Sequence, residues 1–197
     1  MVVGGQAVLL YGEPRATQDI DITLGVDVDS FDKVLKAVRT VDLIPISAHP
    51  QKFAQDTRVL PMQESKTGLR VDLIFSFSNY ERQAIKRINK KTILGTQVCY
   101  ASLDDIIIHK VFSGRTRDIE DVETILLKNK TIDQRYILKW LDLFDQDGSQ
   151  DCRERYLSIQ KRISSVHVGQ RALAASTDHR TKTKRKEVRL KTKKKEK

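Results

Sequence analysis

Polar and apolar residues alternate strictly through Asp19-Ile20-Asp21-Ile22-Thr23-Leu24. That two-residue period predicts a strand with one buried face, so Asp19, Asp21 and Thr23 project to the same side. Val71, Leu73, Phe75 and Phe77 repeat the period as an apolar face and turn Asp72 the other way. A further strand is expected at Arg58-Val59-Leu60, paired with the one carrying Asp72. It lies in the least legible stretch, residues 43–66, which Pro45, Pro50 and Pro61 interrupt. Elsewhere the spacing is helical. Phe31, Val34, Leu35 and Val38 predict a helix over 30–41 with Ser30 as its N-cap. A short helix is expected over 79–87, then a strand pair over 92–100 turning at Gly95-Thr96. Ser102, with Asp104 and Asp105 in the first turn, opens a helix through Phe112 that stops near Gly114. From Asp118 onward only helices are expected, over 119–127, 133–144 and 153 to about 174. Strands mix with helices early and helices alone end the chain, which gives an α+β class.

The polar positions suggest chemistry. Asp19 and Asp21 leave the backbone ~6.6 Å apart at ~3.3 Å per residue. Their side chains can converge on two divalent cations ~3.5–4 Å apart, the spacing that clamps an in-line phosphoryl displacement. Asp72 can face the same cleft. Three hard oxygen ligands suit Mg²⁺, and Mn²⁺ as a second choice. Without cations, two carboxylates ~5 Å apart repel by about 3 kcal/mol at an effective dielectric of 20. Upstream, Gly4-Gly5 lies between Val2-Val3, read as a short strand, and an apolar, helix-compatible stretch over 6–11. Glycine there lets backbone approach phosphate and aims free N–H groups at it. Each part alone has a plainer reading: an ordinary strand-to-helix turn, and a solvated edge strand. Lys110, Arg115 and Arg117 could equally form ion pairs with Asp118, Glu120 or Asp121 on a helix surface. His109 reads as a packed or surface imidazole, and Trp140 as core within Ile137, Trp140, Leu141 and Phe144.

Composition narrows the setting. The 197 residues suit one domain, or a domain with a helical appendage. With 39% hydrophobic residues and no apolar run of spanning length, neither a transmembrane segment nor a signal peptide is expected. The two cysteines, Cys99 and Cys152, read as free thiols in a reducing, cytoplasmic setting. The net charge of +10 is concentrated in residues 176–197, where eleven Lys and Arg face three acids and carry +8 of it. Such a segment is expected to be disordered, and could equally add salt-sensitive affinity for RNA or DNA or be a solvated terminus with no dedicated partner.

In order, the motif series resembles the polymerase-beta-like nucleotidyltransferase superfamily, and within it the AbiEii-type toxin nucleotidyltransferases. It comprises Gly4-Gly5-Gln6-Ala7, Gly12, Arg15, Thr17 and Asp19-Ile20-Asp21, then the Asp72 strand, then Ser102-Leu103-Asp104-Asp105, Lys110, Gly114-Arg115, Arg117-Asp118 and Asp121. The likeness covers roughly residues 1–127. It implies a mixed sheet with flanking helices as a catalytic core over 1–100, followed by a helical region over 101–175 and the basic tail over 176–197. It further implies transfer of a nucleoside monophosphate from an NTP to an acceptor hydroxyl. On that resemblance Gly4, Gly5, Arg15, Thr17, Lys110 and Arg117 would hold the nucleotide. Asp19 and Asp21 would bind Mg²⁺, with Asp72 as a further ligand or general base. Lys110 would serve catalysis, and Asp118 and Asp121 would orient the basic groups. RNA, tRNA included, is a candidate acceptor, and a toxin would have an antitoxin partner. Two other readings stand beside it: an idle domain of the same fold that binds nucleotide, a protein partner or nucleic acid, and a nucleic-acid-binding protein acting through its basic tail. Only Met1-Val2-Val3 precedes the glycines, where the family has a helix and most of a strand, so a late-assigned start or a truncated relative is expected.

Overall fold

The computed structural model describes residues 1–148 and 151–165. Met1–Tyr156 form one compact unit and Leu157–Lys197 another. The first contains α1 (Gly4–Tyr11), β1 (Asp19–Thr23), a 3-10 turn (Val28–Ser30), α2 (Phe31–Arg39), β2 (Leu43–Pro45), α3 (Pro50–Thr57), β3 (Val59–Glu64) and β4 (Arg70–Ile74). These are followed by α4 (Asn79–Lys86), β5 (Asn89–Ile93), β6 (Thr96–Tyr100), α5 (Leu103–Ser113), α6 (Thr116–Lys128) and α7 (Gln134–Gln146). Residues 152–156 are helical, and in the second unit so are 157–165. The rest of the expected last helix and the basic tail fall outside the described residues.

Four strands form a mixed sheet in the order β1-β4-β3-β2, with β1 parallel to β4 and the other pairs antiparallel. One face carries the core expected from the alternation. Leu60, Met62, Val71, Leu73 and Phe75 pack there with Phe31 and Ala54, and Ile20, Ile22, Val34, Leu35 and Val38 close around them. Phe77 departs from the expected apolar face and is half exposed, because β4 ends at Ile74. Ser30 caps nothing with its side chain. Asp27 instead accepts from the Val28 amide and starts the preceding 3-10 turn. β2 and α3 have no counterpart in the sequence reading: β2 is held by pairing with β3, and α3 starts with Pro50 in its first turn.

Met1–Val3 joins two sheets. Val2 bridges Ile22 of β1 and Tyr100 of β6, with its N–H donating to Cys99 O at 2.7 Å and its C=O accepting from Ala101 N at 2.9 Å. The β5–β6 hairpin, which begins three residues earlier than expected, is thereby tied to the four-stranded sheet.

α5 follows its sequence signals. Ser102 accepts from the Asp105 amide, and Gly114 ends the helix in the left-handed region at a φ of +63°. Ile106, Ile107 and Ile108 are all fully buried, since α1, α6 and α7 enclose the helix on several sides. Trp140 is half-buried rather than core. It sits in an aromatic cluster with Tyr80 (ring centroids 5.1 Å apart) and Phe144, beside His109 against Tyr80. Cys99 and Cys152 are free, and burial pushes the Cys152 thiol up to about 11. Among the described residues no helix is long and apolar enough to cross a membrane.

Candidate active site

The sheet face opposite the core carries the acidic residues. Parallel pairing sets Asp21 directly beside Asp72, and Asp19 lies two residues back on the same face of β1. One carboxylate oxygen from each of the three falls within 4.8 Å of the others. Burial raises the pKa of Asp21, and the neighbouring charges of Asp19 and Asp72 raise it further against the opposing pull of Lys110 and Arg70. The cluster is therefore short of positive charge. Its donors are all hard oxygens with lone pairs to spare, and that donor set fits Mg²⁺ or Mn²⁺.

One partner was missed from the sequence. Arg70 grips Asp72 in a two-pronged pair, Nε to Oδ1 at 2.9 Å and one terminal nitrogen to Oδ2 at 2.9 Å. The signal was present: Arg70-Val71-Asp72 places both side chains on one face of one strand. The pair fixes the plane of the Asp72 carboxylate while leaving each oxygen a second lone pair.

α1 begins beside this cluster. Gly4 adopts a φ of +59°, and a Cβ placed on it would lie 1.9 Å from Oδ2 of Asp21. A side chain at position 4 would thus occupy the space of the carboxylate itself. At Gly5 a Cβ would meet the Thr17 methyl at 2.4 Å. Thr17 also accepts a hydrogen bond from Gln6 Nε2 at 2.5 Å, which ties the loop before β1 to the first turn of α1. The amides of that first turn have no acceptor within the helix. They form a small positive pole next to the carboxylates.

The basic residues belong to a second, buried group. Lys110 on α5 contacts Asp118 at 2.6 Å and Asp121 at 2.9 Å, both on α6. Asp121 also takes Arg15 through a two-pronged pair at 2.9 Å on each side. Two cations thus balance two carboxylates, and the side chains of Lys110, Asp118 and Asp121 are each 10% exposed or less. Burial works against the Asp121 charge, but hydrogen bonds from Arg15 and Lys110 outweigh it and hold its carboxyl below the ordinary value. Asp118 Oδ2 is buried with no hydrogen-bond partner among the described residues. Lys110 acts electrostatically on Asp21, and Asp19 on Arg15, so the two groups are neighbours. Arg117 stands apart, exposed, with one nitrogen 3.3 Å from Ala16 O.

Comparisons with known proteins bear on the fold and the family. An antigenic nucleotidyltransferase-like protein from Paracoccidioides brasiliensis superposes with a TM-score of 0.55 at 16% identity, covering 85% of this chain and 81% of that one. That match shares the fold. The lincomycin-bound structure of the lincosamide antibiotic adenylyltransferase LnuA aligns at a TM-score of 0.42 and 14% identity, over 63% of this chain and 83% of that one. No curated protein matches the chain in sequence. The family described as "Nucleotidyltransferase of unknown function (DUF6036)" matches residues 1–141, from the glycines through the triad to α7. The chain belongs to that nucleotidyltransferase family.

Proposed function

We propose that this protein transfers a nucleoside monophosphate from an NTP to an acceptor hydroxyl, with Asp19, Asp21 and Asp72 holding the divalent cations. The observation that carries the reading is the meeting of three carboxylates within 4.8 Å, with Gly4 at the start of α1 packed against Asp21. When bound, Mg²⁺ or Mn²⁺ would neutralise phosphate charge and make the acceptor oxygen a better nucleophile. The chain supplies the rest. Amides at Gly4 and Gly5 receive triphosphate oxygens, and Arg70 holds Asp72 in the plane from which it can accept the hydroxyl proton. The acceptor oxygen forms a bond to the α-phosphorus as the bond to the bridging oxygen breaks, and pyrophosphate departs. Lys110 and Arg15, kept in place by Asp118 and Asp121, offset charge on the leaving phosphates, while Thr17 and Arg117 shape the entry around the nucleotide.

RNA, tRNA included, is the favoured acceptor class, because residues 176–197 carry a net +8 suited to a polyanion. Within the superfamily we read the chain as AbiEii-like, a toxin whose antitoxin would be a protein partner. An idle domain of the same fold is the second reading. Against it stands the electrostatic cost of keeping three carboxylates together, which Arg70 and Lys110 oppose without removing the rise at Asp21.

The test incubates the protein with each α-³²P-labelled NTP, Mg²⁺ and total RNA beside the Asp21→Ala variant. The expected result is labelled RNA with the native chain and a loss of at least about a hundredfold in the variant. Equal labelling in both, or none in either, contradicts the proposal.

A further inference from the structure

Away from the carboxylates, α4 and α7 enclose a hollow of about 440 Å³ with an unusual lining. From α4 come Asn79, Arg82, Gln83 and Lys86, the i, i+3, i+4, i+7 positions of a single helix face. The opposite face of α4 buries Tyr80 and Ala84 and anchors the helix. From α7 come Tyr136, Lys139 and Trp140, again successive positions on one face. Among the described residues, three cations and two aromatic rings line this space and no carboxylate does. The two neighbouring hollows differ, since one includes Asp104 and Asp133 and the other Asp142.

The cations are arranged for an external anion. Arg82 is fixed by donating to Asn79 Oδ1 at 2.9 Å and to Phe77 O at 3.3 Å. Lys86 is exposed and has no acidic partner among the described residues. Lys139 lies over the Trp140 ring, 5.5 Å from its centroid, and Arg87 over the Tyr136 ring at 3.9 Å, so each aromatic ring of the hollow already carries a cation that a base would displace or stack beside. Phosphate-bearing strands are recognised by this combination: cations track the backbone, and aromatic rings receive the bases. A free phosphate has no use for the rings, and an acidic peptide has no base to stack.

We infer that the α4–α7 hollow is a binding site for a single-stranded nucleic acid, with Arg82, Lys86 and Lys139 on its phosphates and Trp140 beside a base. The site is separate from the carboxylate triad and does not depend on nucleotidyl transfer. Trp140 is the only tryptophan of the chain, so its emission reports this hollow directly.

The full chain is titrated with a short single-stranded oligoribonucleotide while Trp140 emission is followed. A parallel titration follows the anisotropy of the same strand carrying a dye. The expected result is a saturable emission change whose affinity falls about tenfold in the Lys86→Ala/Lys139→Ala variant, the loss of charge-assisted contacts. Replacing both lysines with arginine restores it, and raising the salt weakens it. Inorganic triphosphate and a nucleoside monophosphate are comparison arms, each expected to bind at least about tenfold more weakly than the strand. The inference is overturned if the strand binds by anisotropy without moving Trp140 emission, or binds the double alanine variant as tightly. It is equally overturned if no strand binds, or if the free nucleotide binds as tightly as the strand. Asp21→Ala is expected to leave the titration unchanged, so a failure of transfer chemistry and a failure of this site are read separately.

Discussion

At Asp21 two demands conflict. The residue stands between Asp19 and Asp72 in a partly buried position, and its folded pKa is raised above the ordinary 3.8 by burial and by those neighbours. A raised carboxyl pKa means that the folded state binds the extra proton more tightly, so stability is lost as pH rises from the unfolded value through the folded one. Asp21→Asn is therefore expected to stabilise the metal-free protein at neutral pH. The advantage should shrink to nothing as the solution is acidified through that window, as followed by urea midpoints across pH. A variant less stable than the native chain at neutral pH would contradict the repulsion on which the metal-site reading rests. Gly4 belongs to the same balance. Gly4→Ala costs about 1–2 kcal/mol from the left-handed backbone alone. Because the new methyl must displace the Asp21 carboxylate, transfer activity should fall by about a hundredfold, the penalty of a reacting group misplaced by roughly 1 Å. Thermal melts separate the two effects: the fold survives while activity is lost.

Helices α5 and α6 carry a charge group that behaves in the opposite sense. Lys110 neutralises Asp118 and Asp121 in a region almost closed to water. Lys110→Met should lower unfolding free energy by about 3–5 kcal/mol, because two buried carboxylates then share Arg15 alone. Adding Asp118→Leu should return part of that loss, a recovery visible in denaturant midpoints. No recovery would mean that Asp118 is not what Lys110 stabilises. Much of this tier was legible from local signals. The alternation of β1 placed Asp19 and Asp21 on one face, and Ser102 and Gly114 bounded α5 to within a residue. What the sequence hid depends on distant partners. β2 exists through its pairing with β3, and Asp121 holds an arginine 106 positions away in sequence, which no local pattern could reveal. Phe77 misled because the apolar period ran past the end of its strand. Arg70 was overlooked although its spacing from Asp72 was visible.

Across the compact unit, charge is partitioned by task. The triad has three carboxylates against Arg70, the α5–α6 group is balanced with Arg15, and the charged side chains that line the α4–α7 hollow among the described residues are all cations. An acidic centre short of cations beside free helix amides suits metal and triphosphate, while a cationic hollow elsewhere suits a strand. Nucleotidyl transfer breaks the bond between the α-phosphorus and the bridging oxygen to the β-phosphorus, and no other. The most direct measurement supplies α-³²P and γ-³²P forms of the same NTP in parallel, with Mg²⁺ and RNA, and separates acceptor from small products. Nucleotidyl transfer predicts α label in the acceptor and γ label in pyrophosphate, both lost in Asp21→Ala. Label appearing in the acceptor from the γ position, or products unchanged by Asp21→Ala, would contradict it.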